Sequence, residues 1–340
     1  MSSESAVTTH GTFPAPGPEP SCPICLRGGA KFFAEGSDRL FGFASGDFRL
    51  FRCSSCGCVF QYPMPCDSAI ASFYPESYWW EEDRQSSTRI AHAIAVLEKN
   101  YREFVLMDHV RFVEHCARRA QGSGRMLLDI GCGSGAFLHL ARRRGFVAHG
   151  LDLSAQAVAI AQRRYDLDVR QGGTDSKAWE GYTFDFITMF HVLEHLTDPR
   201  GTLIFAAEHL KPGGSLIIQV PNVSSLQARL FGTRWYGLDV PRHIINFTPE
   251  GLNHLLRKAG LEGKTVTRFS LRDNPASLAS SLAPRLDPIG RKARKLRAGA
   301  ISRALTEILY FALVLTALPF AWLESALGYG GTLWAQARPA

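Results

Sequence analysis

The chain has 340 residues and a formal net charge of +7; 46% of its residues are hydrophobic and 20% charged. Those proportions are ordinary for a globular protein, and the length suffices for a full α/β core with appendages. The charge is local, because Arg291, Lys292, Arg294, Lys295 and Arg297 fall in one short stretch; this excludes a globally basic coat and points to a local anionic partner, phospholipid or nucleic acid.

Residues 1–20 are rich in Ser, Thr, Pro and Gly and read as a disordered tail. No basic stretch followed by an apolar run opens the chain, so the expected compartment is cytoplasmic, and the eight cysteines read as thiols or metal ligands rather than disulfides. Within 21–66, Cys22-Pro-Ile-Cys25 and Cys53-Ser-Ser-Cys56 form two knuckles about 27 residues apart. Each offers two thiolates to one tetrahedral ion, and four thiolates close the shell, so the pattern predicts a structural zinc with no open catalytic position. Redox pairs or unligated thiols are the alternatives. Cys58 and Cys66 are spare, and Cys116 and Cys132 read as core or loop residues.

Residues 67–120 read as a helical connector, in which Ile90, Ile94, Leu97, Tyr101 and Phe104 recur as one apolar stripe. The aromatics before it (Phe73, Tyr74, Tyr78, Trp79, Trp80) cover either a core or a cleft.

Residues 121–270 alternate strand and helix patterns, which predicts a parallel sheet covered on both faces. Strands are expected at 125–130, 148–152, 184–189 and 215–220, with helices at 136–144 and 155–165 between them. Leu127-Leu-Asp-Ile-Gly-Cys-Gly-Ser-Gly135 reads as strand, tight turn and helix start. About twenty residues on, Asp152 ends the next strand, where a carboxylate can accept from both ribose hydroxyls of a nucleoside. Gly131, Gly133 and Ala136 also satisfy a relaxed dinucleotide fingerprint. Asp129 argues against that ligand: a carboxylate beside the loop repels a pyrophosphate and suits an ammonium and a sulfonium.

Further on come Phe184-Asp-Phe-Ile-Thr-Met-Phe-His-Val-Leu-Glu-His-Leu-Thr-Asp-Pro199 and the Leu210-Lys-Pro-Gly-Gly-Ser215 turn into another strand. With "LLDIGCGSGAFL", "GLDLS" and "LKPGGSLIIQVPN" in order, the chain resembles the class I S-adenosylmethionine-dependent methyltransferases, in the group that includes ubiquinone and menaquinone biosynthesis enzymes. The resemblance covers about 121–270 and the final strand. It implies a Rossmann-like seven-stranded sheet of order 3-2-1-4-5-7-6 with an antiparallel seventh strand. It also implies that Asp129, Gly131, Gly133 and Gly135 line the methionine end of the cofactor, that Asp152 holds the ribose, and that Leu153 flanks the adenine. Gly172, Gly173 and Thr174 would approach the adenine edge; the Asp common directly after that strand is absent, and Asp175 comes slightly late. His191 would sit near the cofactor at the tip of the fourth strand. The cysteine region looks like the zinc ribbon that precedes some methyltransferase domains of sugar and secondary-metabolite pathways, where it recognises substrate or covers the active site.

On the acceptor side, Trp235 to Pro249 is aromatic, polar and irregular, and relatives carry a similar "PRHxxxFT" stretch over the site mouth. Thr248 and Pro249 then start a helix. His243 is the first candidate for general base or substrate orienter; the alternative is a histidine that only holds the loop. His191, Glu194 and His195 follow, with His195 read as a cap near Asp198-Pro199.

Residues 271–330 form an apolar and basic helical insert before a last strand at 331–340. Ile308–Trp322 is about fifteen residues long, short of the roughly 20 that span a bilayer, and contains Pro319. Strands at 262–269 and 332–338 flank it, so it must return to the side it left. It fits a monotopic membrane anchor through 291–327, a homodimer interface or a helix buried on its own domain. The reading is a cytoplasmic enzyme, peripheral at the membrane if the insert docks there, that methylates a small molecule: a sugar, lipid-linked or secondary-metabolite intermediate. Nucleic acid is disfavoured because the basic cluster lies away from the cysteines; an RNA methyltransferase gripping RNA with its ribbon, and a non-catalytic cofactor-binding scaffold, are the alternatives.

Overall fold

The computed structural model describes residues 20–74, 89–119, 124–294 and 300–340. Expectations for residues 1–19, for Tyr78, Trp79 and Trp80, and for Lys295 and Arg297 lie outside these, as do the side chains of Ile90, Ile94 and Leu97.

The central sheet is laid down by short, nearly continuous apolar runs, as strands covered on both faces require. These are β4 (Met126–Ile130), β5 (Val147–Asp152), β6 (Asp168–Gln171), β7 (Phe184–Phe190) and β8 (Leu210–Pro221), followed by β10 (Leu261–Thr267) and β11 (Thr332–Pro339). Their spatial order is β10-β11-β8-β7-β4-β5-β6. Read from the β6 edge, this is the expected 3-2-1-4-5-7-6, and β11 runs antiparallel to both its neighbours. The chain leaves β4 for β5 on one side and later returns to place β7 on the other, so the topological switch lies at the carboxyl end of β4, where open α/β sheets bind ligands. The Lys-Pro-Gly-Gly turn is absorbed into β8 as an irregularity: pairing jumps from Phe184↔Leu210 to Phe186↔Ser215, with Gly213 at φ 78°.

Helices α3 (Ala136–Arg143), α4 (Ala155–Tyr165), α5 (Pro199–His209) and α7 (Pro249–Lys258) connect the strands. The last three have the N-caps their sequences ask for, Ser154, Asp198 and Thr248, each accepting from a first-turn N–H. The connector is one long helix, α2 (Arg89–Arg119), after the short α1 (Asp67–Ser72). Its buried face differs from the expected stripe. Phe104 is exposed and Tyr101 half-buried, while Val105, His109, Val110, Val113 and Cys116 are buried. The helix is rolled by its docking on the aromatic cluster of Phe190 and Trp334, against which His109 and Phe112 pack.

The cysteine region folds as β1 (Lys31–Gly36), β2 (Phe48–Arg52) and β3 (Val59–Gln61). Its sheet gains a fourth strand from far along the chain, β9 (Ile245–Asn246), which pairs antiparallel with β3. Cys22, Ile24 and Phe60 share one buried cluster with Phe247, Leu252 and the central strands, so ribbon and core are packed as one body. Between β10 and β11 the chain forms α8 (Asn274–Leu282), α9 (Pro288–Ala293) and α10 (Ala300–Ala326). The two flanking strands are direct neighbours, and α10 therefore leaves and rejoins the same face of the domain, as its sequence context predicts.

Candidate active site

Strand β4 delivers the glycine loop to the switch point. Gly131, Gly133 and Gly135 all have positive φ (72°, 53° and 77°), a backbone that L side chains rarely adopt. A Cβ on Gly131 would also lie 2.5 Å from Val192 Cγ2. The loop ends at the N-terminus of α3, whose first N–H groups have no side-chain cap and are open to an electronegative ligand.

Two carboxylates flank the loop. Asp129 is buried beneath it and accepts from Thr188 Oγ1 at 2.6 Å. Burial, reinforced by the nearby Asp152 carboxylate and only partly offset by Thr188, raises its pKa to about 7. Asp152 ends β5; its two oxygens accept from the Gly133 and Ser154 amides at 2.8 and 2.9 Å. Burial raises its pKa as well, against those two amides. The structure thus brings Asp152 onto the loop itself. The next residue, Leu153, is 71% exposed, an apolar side chain with a free face beside a carboxylate. Gly172 follows β6 and donates its N–H to the Asp152 carbonyl at 2.9 Å, so the ends of β4, β5 and β6 form one continuous rim.

The opposite wall is built from β7, β8 and the segment before α7. His191, at the tip of β7, has φ 58°, a strained conformation for a residue with a side chain. Its Nδ1 lies 3.2 Å from Glu194 Oε1 and its Nε2 3.3 Å from Asp273 Oδ2, the latter an ion pair without hydrogen-bond alignment. Burial would depress this imidazole, but the two carboxylates outweigh it and raise its pKa to about 9. The same pairing holds Asp273 and Glu194 below the ordinary carboxylate range against their own burial. Asp273 also accepts from Gln219 Nε2 (3.0 Å) and Ser270 Oγ (2.6 Å), and Gln219 Oε1 lies 2.5 Å from His109 Nε2. Sequence reading missed Asp273 and His109: one stands after β10 and the other in the middle of a long helix, and neither carries a local motif.

His243 is buried in the loop that the sequence singled out. Its Nδ1 faces the Gly237 carbonyl at 2.8 Å, and its Nε2 stands 3.9 Å from both Glu194 Oε1 and Asp239 Oδ2. A carbonyl only accepts, so Nδ1 carries the proton in the neutral ring and Nε2 is the free acceptor. His195 does not cap α5, because Asp198 does so itself. Its Nδ1 instead meets the Arg242 carbonyl at 2.9 Å and Tyr74 Oη at 3.0 Å, and its ring stands edge-on to that of His243 with centroids 4.6 Å apart. Burial, with His243 nearby, lowers its pKa to about 4. Glu194, His195 and His243 bring one ligand atom each to within 4.8 Å of one another, and Glu194 Oε2 is buried without a hydrogen-bond partner among the described residues.

This wall is held by Arg242, which is buried and forks onto Asp239 (2.6–3.1 Å) and Asp38 (2.8 Å) while lying over Phe41. Asp38 belongs to the ribbon; despite its burial, Arg242 and the amides of Phe41 and Ala44 bring its pKa to about 2. The four knuckle cysteines of the ribbon converge on one another. Cys22 Sγ is 3.6 Å from Cys56 Sγ, Cys25 Sγ is 3.5 Å from Cys53 Sγ, and all four sulfurs lie within 4.8 Å of one another. Zn–S bonds of about 2.3 Å place tetrahedral sulfurs about 3.8 Å apart, so the cluster has the dimensions of a four-thiolate site. Amides of Ile24 and Ser55 point at Cys22 and Cys53 Sγ, as knuckle turns arrange them.

The chain is similar to several known proteins. A family model described as "Methyltransferase domain" matches residues 99–266. The ubiquinone biosynthesis O-methyltransferase of Cereibacter sphaeroides is 32% identical over 173 residues, 48% of this chain and 69% of that relative. The Pseudomonas aeruginosa enzyme of the same name is 29% identical over 222 residues, 62% of this chain and 88% of its own length. Among solved structures, a SAM-dependent methyltransferase from Archaeoglobus fulgidus superposes with a TM-score of 0.45 at 20% identity, covering 71% of this chain and 97% of that one. The chain belongs to the class I S-adenosylmethionine-dependent methyltransferases, and it carries an N-terminal four-cysteine module of zinc-ribbon form.

Proposed function

We propose that this methyltransferase acts on a small molecule, a sugar, lipid-linked or secondary-metabolite intermediate, which it meets between the glycine loop and the His243 wall. The observation that carries the reading is the pairing of a cofactor-shaped rim with an enclosed acid–base wall across the same switch point. The rim fits S-adenosylmethionine: a buried carboxylate with no cation paired to it among the described residues (Asp129), turned amides at Gly131 to Gly135, a strand-end carboxylate (Asp152) and a free apolar face (Leu153). Asp129 and the glycines would hold the methionine end, Asp152 the ribose, and Leu153 with Gly172 the adenine. The cofactor supplies an activated methyl group; what the protein must add is alignment and, for a hydroxyl or amine acceptor, removal of one proton.

His243 suits that proton. The Gly237 carbonyl fixes its tautomer, and the Glu194 and Asp239 carboxylates stand where they stabilise the imidazolium once formed. His191, held positive by Asp273 and Glu194, suits a positioning role beside the cofactor rather than that of a base. The ribbon cysteines Cys22, Cys25, Cys53 and Cys56 would hold a structural zinc. The test uses labelled S-adenosylmethionine with panels of phenolic, sugar and lipid-linked acceptors and with RNA. Transfer to a small acceptor, lost in D152N together with S-adenosylhomocysteine binding, supports the reading; label entering RNA alone, or cofactor binding unchanged in D152N, refutes it.

A further inference from the structure

Helix α10 is patterned inside out. The stripe turned to the domain is Val314, Ala317, Ala321 and Glu324, three small or medium residues and a carboxylate. Glu324 is satisfied there by Gln227, whose backbone N–H and Nε2 donate to it at 2.9 and 2.8 Å. The bulky apolar residues face away: Ile308 is 64% exposed, Phe320 68%, Trp322 60% and Leu323 51%. A helix on the surface of a water-soluble domain shows the reverse pattern. The most apolar 18-residue window within 304–326 has a mean hydropathy of 1.8, yet only 17% of that window is buried, so this is neither a core helix nor one that its own domain covers.

The helix is fixed in place rather than free to insert across a bilayer. Tyr310 Oη meets Ser280 Oγ at 3.0 Å, the Phe311 ring stands edge-on to Tyr101 at 5.6 Å, and Asn274 Nδ2 donates to Ser325 Oγ at 3.0 Å. With β10 and β11 hydrogen-bonded to one another, both ends are anchored to one face, and about 40 Å of helix lies along the surface. The apolar face continues past its C-terminus. The amide of Leu226 (50% exposed), at the start of the short helix α6 (Leu226–Phe231), donates to the Tyr329 carbonyl, and Leu230 of the same helix is 72% exposed.

Charge decides what covers this face. Between residues 285 and 307, just before the apolar run, the chain holds seven Lys and Arg against Asp287 and Glu307; Asp287 is buried under Ser280 and Gly290, and Glu307 pairs with Arg291 at 3.6 Å. A second copy of the chain would bring the same positive charge to the same edge. An anionic lipid surface complements it, with Trp322 and Tyr329 supplying the amphipathic rings that settle at a headgroup boundary. We propose that the outer face of α10, with the basic segment before it, docks in-plane on a membrane leaflet containing anionic phospholipid. The asparagine that follows β8, Asn222, is bonded to Gly330 and Gly331 at the end of this insert, so docking sets the carboxyl edge of the sheet, and the proposed acceptor mouth, beside the lipid. The inference concerns binding alone and stands whether or not the acceptor is correctly assigned.

Flotation of the full chain with phosphatidylcholine vesicles containing or lacking about 30 mol% phosphatidylglycerol tests it. We expect co-flotation with the anionic vesicles, weakening as salt rises. It should fall at least tenfold in F320E/W322E/L323E, and not in V147E, an exposed apolar site at the start of β5 in the other half of the sheet. An unchanged thermal midpoint in the triple variant would show that its fold is intact. Absence of wild-type flotation, or flotation undiminished in the triple variant, overturns the proposal. A dimer in solution that the triple variant splits, with no vesicle binding, assigns the face to a second copy instead.

Discussion

Asp129→Asn separates the stability of the glycine-loop rim from the cofactor binding proposed for it. In the free protein the buried Asp129 carboxyl has a pKa near 7 against an ordinary 3.8. A folded value above the unfolded one means that this group's stabilisation is fully present below about pH 4 and is lost as the pH rises through 7. At about 1.4 kcal/mol per unit, the loss between pH 5 and pH 8 comes to roughly 2–3 kcal/mol. Asparagine keeps an oxygen for Thr188 Oγ1 and cannot ionise; Asp152 is present in both proteins and largely cancels. The advantage of D129N over wild type should therefore widen by roughly 5 °C between pH 5 and pH 8, read by thermal unfolding without ligand. Cofactor binding should move the other way. The ammonium of S-adenosylhomocysteine stabilises the ionised carboxylate, so wild type should release a proton on binding near pH 6.5, seen calorimetrically in buffers of different ionisation enthalpy. D129N should bind at least tenfold more weakly without that release. A stability difference independent of pH, or D129N less stable at pH 8, would refute the reasoning.

Three further outcomes follow from contacts around the mouth. R242M strands the Asp38 and Asp239 carboxylates inside the protein and should cost about 3–5 kcal/mol in denaturant unfolding. With the Asp38 pKa held near 2, the stability from that pair is present above about pH 4 and is lost as the pH falls through 2. Metal analysis of purified protein should find one zinc per chain, absent in C22S/C53S, and chelation should expose the 38–62 region to protease while leaving the central sheet folded. H243Q should lower kcat about a hundredfold on a hydroxyl acceptor, with S-adenosylhomocysteine affinity unchanged; an equal loss of cofactor affinity would place His243 in folding rather than proton transfer.

The donor half of the molecule was legible because each part is local. A strand run, three glycines with left-handed backbone and a strand-end acid twenty residues later are all features of one short stretch, and the sheet order follows once the family resemblance is admitted. Register within the long connector was not legible. The 3–4 spacing of Tyr101 and Phe104 is real, but the face that ends up buried depends on Phe190 and Trp334, which both lie far downstream of the helix and far from each other in sequence. The charge state of His191 was also beyond reach. It depends on Asp273, 82 positions away, and the sequence around that Asp looks like an ordinary helix start. For His195 a nearby Asp-Pro pair suggested a cap, but Asp198 caps α5 unaided and leaves His195 free to turn to the Arg242 carbonyl.

The segment 241–248 explains why such distant parts meet. Its backbone is shared between two sheets: Ile245 and Asn246 extend the ribbon, while Phe247 bridges to Asn222 beyond β8. Thr248 caps α7 with the same hydroxyl that donates to the Cys56 carbonyl. Arg242 reaches back to Asp38, and α9 presses Gly290 against the Leu40 carbonyl of the same ribbon loop. His243 therefore sits in a segment tied to the ribbon through Arg242, Ile245 and Thr248 and to the central sheet's edge through Phe247. If the four cysteines bind a metal, it would stiffen β3 and, through the β3–β9 pairing, the segment that carries His243, so its proposed influence on the reaction would run through the position of that segment.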